Sequence, residues 1–197
     1  NVSIIVNPIN EAPVISGLSS SISVAENLIF VVTVSASDVE GDTLTYTLIG
    51  TDASSLSINS SSGVITFNSA PDYETKVTYS VTLNVSDGTN TTPQALSINV
   101  TDVNETSPVI TSSSTFSAAE NQTAVGTATA TDTDTSETLT FTLTGTDAAS
   151  LSINASSGVI TFNSAPDYET KSTYTATVTA SDGTNTTTQS ITVAVTY

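Results

Sequence analysis

The chain predicts an all-β fold built from two tandem copies of one small sandwich domain, and three observations predict it. A long segment recurs almost unchanged. The apolar residues come in short β-branched runs bounded by turn formers, and no stretch carries a sustained helical period with caps. The recurrence is the strongest signal: TDASSLSINSSSGVITFNSAPDYETKVTY at 51–79 returns 95 residues later as TDAASLSINASSGVITFNSAPDYETKSTY at 146–174, with 26 of 29 positions identical. A period of this length means repeated domains, and 197 residues hold two of ordinary size. Shorter matches flank it at nearly the same offset: AEN at 25–27 and 119–121, and SDGTNTT at 86–92 and 181–187, with one residue inserted between Asp132 and Leu139.

Taken in order through the first copy, residues 29–36, 44–49, 56–59, 64–67, 79–85 and 96–100 are rich in Val, Ile, Thr, Tyr and Phe. Each is bounded by Asp, Gly, Asn, Ser or Pro, as strands are. With the stretch around Val14 and Ile15 they make about seven short strands per copy, the pattern of an Ig-like Greek-key β-sandwich. Residues 1–10 read as the last strand and linker of a preceding repeat, because VSIIVNPINEAPVI resembles LSINVTDVNETSPVI at 96–110. Repeat 1 is then 11–104 and repeat 2 is 105–197, a piece of a longer array.

Composition narrows the chemistry. Nineteen Asp plus Glu face two Lys, with no Arg, His or Cys, for a formal net charge of -17. A chain this acidic has no basic face for nucleic acid. Without Cys or His it lacks thiolate zinc sites, cysteine nucleophiles and the usual general base. The longest apolar run, 28–32, is far too short to insert in a membrane, and the amino terminus lacks the pattern of a targeting segment.

Successive sandwich strands run in opposite directions, so the loops alternate between the two ends of each domain. Parity places Glu26 (first loop), Asp72 and Glu74 (fifth loop) and Asp102 (after the last strand) at the carboxyl-terminal end of repeat 1. Asn10, Glu11, Asp38, Glu40 and Asp87 fall at its amino-terminal end. In repeat 2, Glu120, Asp167 and Glu169 lie at the carboxyl-terminal end, and Asp132, Asp134 and Asp182 at the end facing repeat 1. The linker of 101–108 therefore collects Glu26, Asp72, Glu74, Asp102, Glu105, Asp132, Asp134 and Asp182, with no Arg to pair them. Two carboxylates about 4 Å apart repel by roughly 4 kcal/mol at an effective dielectric near 20, so such a cluster calls for a cation. Donors limited to oxygen select a hard ion, and Ca2+, which tolerates 6 to 8 ligands, suits an irregular cluster better than Mg2+.

These residues resemble a family. Both copies are similar to cadherin-type repeats, of the kind found in large bacterial surface and secreted adhesins. The carriers are the first-loop Glu of AEN, DYE where cadherins have Leu-Asp-Arg-Glu, the Asp-x-Asp pattern of DTD and DVE, the Asp of SDG, and DVNETSP resembling Asp-x-Asn-Asp-Asn-Ala-Pro. The resemblance implies up to three calcium ions at a junction. Glu26, Asp72, Glu74, Asp102, Glu105 and Asp134 would surround the first two, and Asn104, Asp132, Asp134 and Asp182 the third, with the carbonyls of Val103 and Thr106 as further ligands. It implies an amino-terminal half-site at Asn10, Glu11, Asp38, Glu40 and Asp87, and a carboxyl-terminal one at Glu120, Asp167 and Glu169. Pro8 stands where Asp102 stands in the other linker, which implies fewer ions at the first junction. The family's strand-swap adhesion uses an amino-terminal Trp, and this chain has none.

Plainer roles compete. Asp87 and Asp182 precede Gly and suit turns, DVEGD at 38–42 suits a solvated turn, and an acidic surface promotes solubility by itself. Fifteen of the nineteen acids nevertheless fall on family ligand positions, all but Asp42, Asp52, Glu137 and Asp147. Tyr73 and Tyr168 read as core plugs, and Lys76 and Lys171 as tethers for a nearby carboxylate. Asp72 with Glu74, or Asp132 with Asp134, could mimic a glycosidase pair, but the loops are too short to build a cleft, so no enzyme is expected. The expected function is a Ca2+-rigidified spacer or adhesion element, extracellular or on the cell surface. Its partners would be neighbouring repeats of the same chain, a homophilic contact or a cell-surface glycan. The alternative is a calcium-dependent carbohydrate-binding module.

Overall fold

A computed structural model describes residues 9–134 and 137–197; the expected closing strand of a preceding repeat and Pro8 lie outside them. The chain forms two compact units, divided between Val103 and Asn104. The first contains β1 (Val14–Ser16), β2 (Ser21–Ala25), β3 (Phe30–Thr33), β4 (Ser35–Ser37), β5 (Thr45–Ile49), β6 (Leu56–Ile58), β7 (Val64–Phe67), β8 (Thr78–Ser86) and β9 (Thr91–Thr101). The second repeats the series as β10 (Val109–Ile110), β11 (Thr115–Ala119), β12 (Ala124–Thr127), β13 (Ala130–Thr131), β14 (Thr140–Thr144), β15 (Leu151–Ile153), β16 (Val159–Phe162), β17 (Thr173–Ser181) and β18 (Thr186–Thr196). A single 3-10 turn precedes β6 and another precedes β15.

Each unit is a sandwich of a four-stranded sheet, ordered β2-β9-β8-β5, and a three-stranded sheet, ordered β3-β7-β6, with the same orders in the second copy. The nine segments are seven strands, because the first and second are each broken in two. In repeat 1 the first strand breaks at 17–20, where Gly17 adopts φ 67°, a left-handed value that Gly reaches at little cost. Its two halves join different partners: β1 pairs antiparallel with β4, whereas β2 pairs parallel with β9. The sequence reading located only the first half, around Val14 and Ile15. SISVA in β2 alternates, but its short Ser-rich run carries too little apolar signal to stand out as a strand.

Cores follow the period-2 rule. Val81, Leu83 and Val85 of β8 and Leu96, Ile98 and Val100 of β9 alternate inward against Ile65 and Phe67 of β7. The equivalents in repeat 2 are Ala176, Val178, Ala180, Ile191, Val193, Val195, Ile160 and Phe162. An edge-to-face ring pair, Phe67 with Tyr79 and Phe162 with Tyr174, seals each core at 4.9 Å between centroids. Tyr168 packs against the second core, while Tyr73 is half-buried and not among the described residues packed on the first. Lys76 bonds Asp52 and Lys171 bonds Asp147, and each ammonium lies over a Tyr ring. Both lysines are thus engaged within their own repeats.

Candidate metal centres

The parallel pairing of β2 with β9 decides the carboxyl-terminal end of repeat 1, because two parallel strands run out together. Glu26, just past β2, donates its N–H to Thr101 O at 3.1 Å, and Asn27 at φ 62° then turns the chain so that its N–H meets Pro71 O at 3.0 Å. Asn tolerates this conformation better than most residues. The Glu26 side chain is only 2% exposed, and its carboxylate accepts the N–H of Val103 on one oxygen and of Tyr73 on the other, both at 2.8 Å. One buried carboxylate thereby ties the first loop to the fifth loop and to the chain's exit. Oxygens of Glu26, Asp72 and Glu74 lie within 4.8 Å of one another, and Glu74 and Asp102 also reach that separation. The Thr75 hydroxyl, followed by the N–H groups of Thr75 and Glu74, holds the Asp72 carboxyl below its ordinary range although burial opposes it.

Repeat 2 builds the same end from the same residues. Glu120 N–H bonds Thr196 O at 2.8 Å, Asn121 turns at φ 61°, and Tyr168 N–H meets the Glu120 carboxylate at 3.3 Å. Glu120, Asp167 and Glu169 bring oxygens within 4.8 Å. The Thr170 hydroxyl is the main influence lowering the Asp167 carboxyl. The Tyr197 ring lies tilted against Tyr168 with centroids 4.3 Å apart, and a hydrogen bond with Glu169 raises its phenol.

The amino-terminal end of repeat 2 is organised around Thr106. Its N–H and hydroxyl approach Asp134 Oδ2 at 2.9 and 2.8 Å, and the hydroxyl also lies 2.9 Å from Asp132 Oδ1. One hydroxyl proton serves only one of them at a time. Asp182 Oδ1 accepts the N–H groups of Thr184 and Asn185 at 2.7 and 2.6 Å. Burial, the largest single influence, would raise the Asp182 carboxyl, but the N–H groups of Asn185 and Thr184 together with the Asn104 and Asn185 side chains outweigh it, and the net displacement is downward. Asp134 and Asp182 are 3% and 7% exposed. Asp132 Oδ2, Asp134 Oδ1 and Asp182 Oδ2 are buried with no hydrogen-bond partner among the described residues. A buried polar atom left without a partner costs free energy, and an ionised one costs more. Three such oxygens at one end of a domain fit a hard divalent cation, whose ligands are oxygens of this kind.

At the corresponding end of repeat 1, Asn10 Nδ2 donates to Asp87 Oδ2 at 3.0 Å, so this carboxylate has both oxygens engaged. The Asn90 N–H is the leading cause that lowers the Asp87 carboxyl. Asp38 accepts the N–H groups of Glu40 and Asp42 on Oδ1 and leaves Oδ2 buried without a partner among the described residues. Glu40, one methylene longer than Asp134, is exposed and accepts the Glu11 N–H at 3.3 Å.

Residues 114–196 match the model of the cadherin domain, and residues 10–101 match that of a bacterial Ig domain. The second repeat thus resembles the cadherin domain and the first a bacterial Ig domain. The chain is 34% identical over 88 residues to cadherin-related family member 2 of mouse, covering 45% of this chain and 7% of that one. To mouse protocadherin Fat 4 it is 32% identical over 141 residues, covering 66% of this chain and 3% of that one. It therefore spans a small fraction of the curated relatives it matches. The crystal structure of human protocadherin-24 EC1-2 shares the fold, with a TM-score of 0.80 at 24% identity over 95% of this chain and 99% of that chain.

Sequence reasoning missed Asn90, Asn185 and the Thr106 side chain. Asn90 and Asn185 were legible in principle, since SDGTN stands unaltered in both repeats. The sequence implies a role for Thr106 only through its carbonyl, whereas its hydroxyl faces two of the candidate carboxylates. Asp52 and Asp147, set aside as outside the ligand pattern, are the lysine partners.

Proposed function

We propose that these cadherin-like repeats bind Ca2+ at their ends, and that calcium held by both flanks of the linker stiffens it. The observation that carries the reading is the set of buried, unpartnered oxygens on Asp132, Asp134 and Asp182, in a chain whose two lysines are engaged elsewhere. Glu26, Asp72, Glu74, Asp102 and Val103 would hold the ions from repeat 1, and Asn104, Glu105, Thr106, Asp132, Asp134 and Asp182 from repeat 2. Bound calcium supplies positive charge where carboxylates otherwise repel. At Asp132, Asp134 and Asp182 the protein's part is to engage one oxygen with N–H groups, so that it is oriented while the other remains open, whereas Glu26 and Asp72 have both oxygens engaged.

In this reading the pair is an extracellular spacer or adhesion element of a large bacterial surface or secreted protein rather than an enzyme. No helix among the described residues is long and apolar enough to cross a membrane. A ligand that binds only the folded state stabilises it by about 2.7 kcal/mol at a hundredfold excess over Kd. Thermal unfolding in chelator and across a calcium series tests this: Tm rises with calcium if the reading holds, and a Tm indifferent to calcium contradicts it.

A further inference from the structure

We infer that Asn185 is a positioning residue for the cation site of repeat 2, an inference that rests on the calcium reading above. Its side-chain Nδ2 donates to Asn104 Oδ1 and to Thr106 O, each at 2.8 Å, while its backbone N–H holds Asp182 Oδ1 at 2.6 Å. A single residue thus fixes three candidate ligands on two separate segments, the chain entering repeat 2 and the loop between β17 and β18. It does so without supplying an oxygen through any of these contacts. The chemistry is compatible with coordination, because a carbonyl oxygen has two lone pairs and can accept the Asn185 amide on one while offering the other to a cation. Asp182 likewise engages Oδ1 and leaves Oδ2 open.

Asn90 performs the equivalent act in repeat 1. Its Nδ2 meets Asn10 O and Glu11 O at 3.2 and 3.3 Å, and its N–H meets Asp87 Oδ1 at 2.6 Å. The lengths differ as the sites do: 2.8 Å in repeat 2, beside three open carboxylate oxygens, against 3.2 and 3.3 Å in repeat 1, where Asn10 closes on Asp87 instead. Asn is the side chain that fits, since one short amide nitrogen carries two protons for two acceptors. Ser is too short to bridge both, and Asp has no proton to give. Repeat 2 therefore holds its ligands in place before the cation arrives, which lowers the ordering cost of binding.

The test compares the full chain with Asn185→Ala, with Asn185→Ser as a milder second variant, and with Asn90→Ala as a control for trimming the same loop in the other repeat. Amide hydrogen exchange in chelator reads the clamp through Thr106, whose carbonyl Asn185 holds and whose N–H donates to Asp134 Oδ2. Exchange of the Thr106 amide should accelerate about three- to tenfold in both Asn185 variants and not in Asn90→Ala. Calorimetric titration with CaCl2 reads the consequence: affinity should fall about tenfold, the scale on which outer-shell partners act, with stoichiometry unchanged because no ligand is removed. If the parent chain binds calcium and the Asn185 variants bind it equally well, the positioning role is overturned and the calcium reading stands. A parent chain that takes up no calcium removes the calcium reading itself and this inference with it.

Discussion

Repeat 1 fills its core with Val24, Val34, Val81 and Val85 where repeat 2 has Ala118, Ala128, Ala176 and Ala180, yet the two fold to the same sheet orders. Part of the lost volume returns elsewhere. Ile22 and Val32 of repeat 1 become Phe116 and Gly126, and a Cβ on Gly126 would lie 2.6 Å from the Phe116 ring. The ring occupies the space the smaller residue vacates. Three loop segments, AEN, PDYE and SDGTN, are retained letter for letter in both copies, as are the core strands LSI and VITF, whereas DVE at 38–40 becomes DTD at 132–134. A core tolerates exchange as long as pattern and total volume persist. The Val-to-Ala exchanges are thus confined to positions where a neighbour can take up volume.

The largest expected effect tests how far the cores have diverged. Gly63 and Gly158 occupy the same hairpin with φ 69° and 68°, but a Cβ would lie 3.0 Å from Val34 O in repeat 1 and 2.1 Å from Ala128 O in repeat 2. Gly158→Ala should therefore destabilise repeat 2 by about 3 kcal/mol, and Gly63→Ala should cost repeat 1 about 1–2 kcal/mol, read from urea unfolding. Equal losses would show that the backbone around Ala128 yields freely.

Next comes the contrast between the ends. Asp134→Ala should weaken calcium binding at least tenfold, while melting in chelator stays level or rises because a buried carboxylate has gone. Glu40→Ala, at the exposed counterpart, should weaken it less. Similar losses from the two would erase the difference drawn between the two amino-terminal ends.

The compensation within the core is open to a double-mutant cycle. Gly126→Val should cost about 2 kcal/mol beside Phe116, and Phe116→Ile should restore most of it by rebuilding the repeat 1 arrangement. Additive costs would mean that Phe116 and Gly126 changed independently.

The smallest effect concerns the feature the repeats share most closely. The hydrogen bond from Lys76 is the main cause that holds the Asp52 carboxyl below its ordinary value of 3.8, and Lys171 does the same for Asp147. A lowered folded-state value contributes stability that is present above the unfolded value and is lost as pH falls through the folded one. The stability difference between the parent and Lys76→Met or Lys171→Met should be constant near neutrality and vanish below the ordinary carboxylate range. The lysine of each pair is well exposed, so the difference should be small in both repeats and reduced by salt.

Much of this was legible in the sequence for identifiable reasons. The fold came from a repeat and from β-branched runs between turn formers, signals that are local and doubled. Loop parity, which needs only antiparallel succession, grouped Glu26, Asp72 and Glu74 correctly. The parallel pairing of β2 with β9 was not legible, because Ser-rich SISVA encodes no partner, although it is what sets Glu26 beside Thr101. The repeated SDGTN marks Asn185, but not what it does, because its two side-chain contacts lie some 80 positions away in the chain. The missing Phe116 and Gly126 relation has the same origin: side-chain volume is traded between neighbours in space, and spacing along the chain does not record it.

The most direct test of the calcium reading is calorimetric titration of the full chain with CaCl2, paired with small-angle scattering of the same sample in chelator and in calcium. Saturable uptake of two or more ions, with scattering that shifts to a stiffer or more extended particle, is the expected result. Absence of saturable uptake, or uptake that leaves the scattering unchanged, would contradict a calcium-stiffened linker.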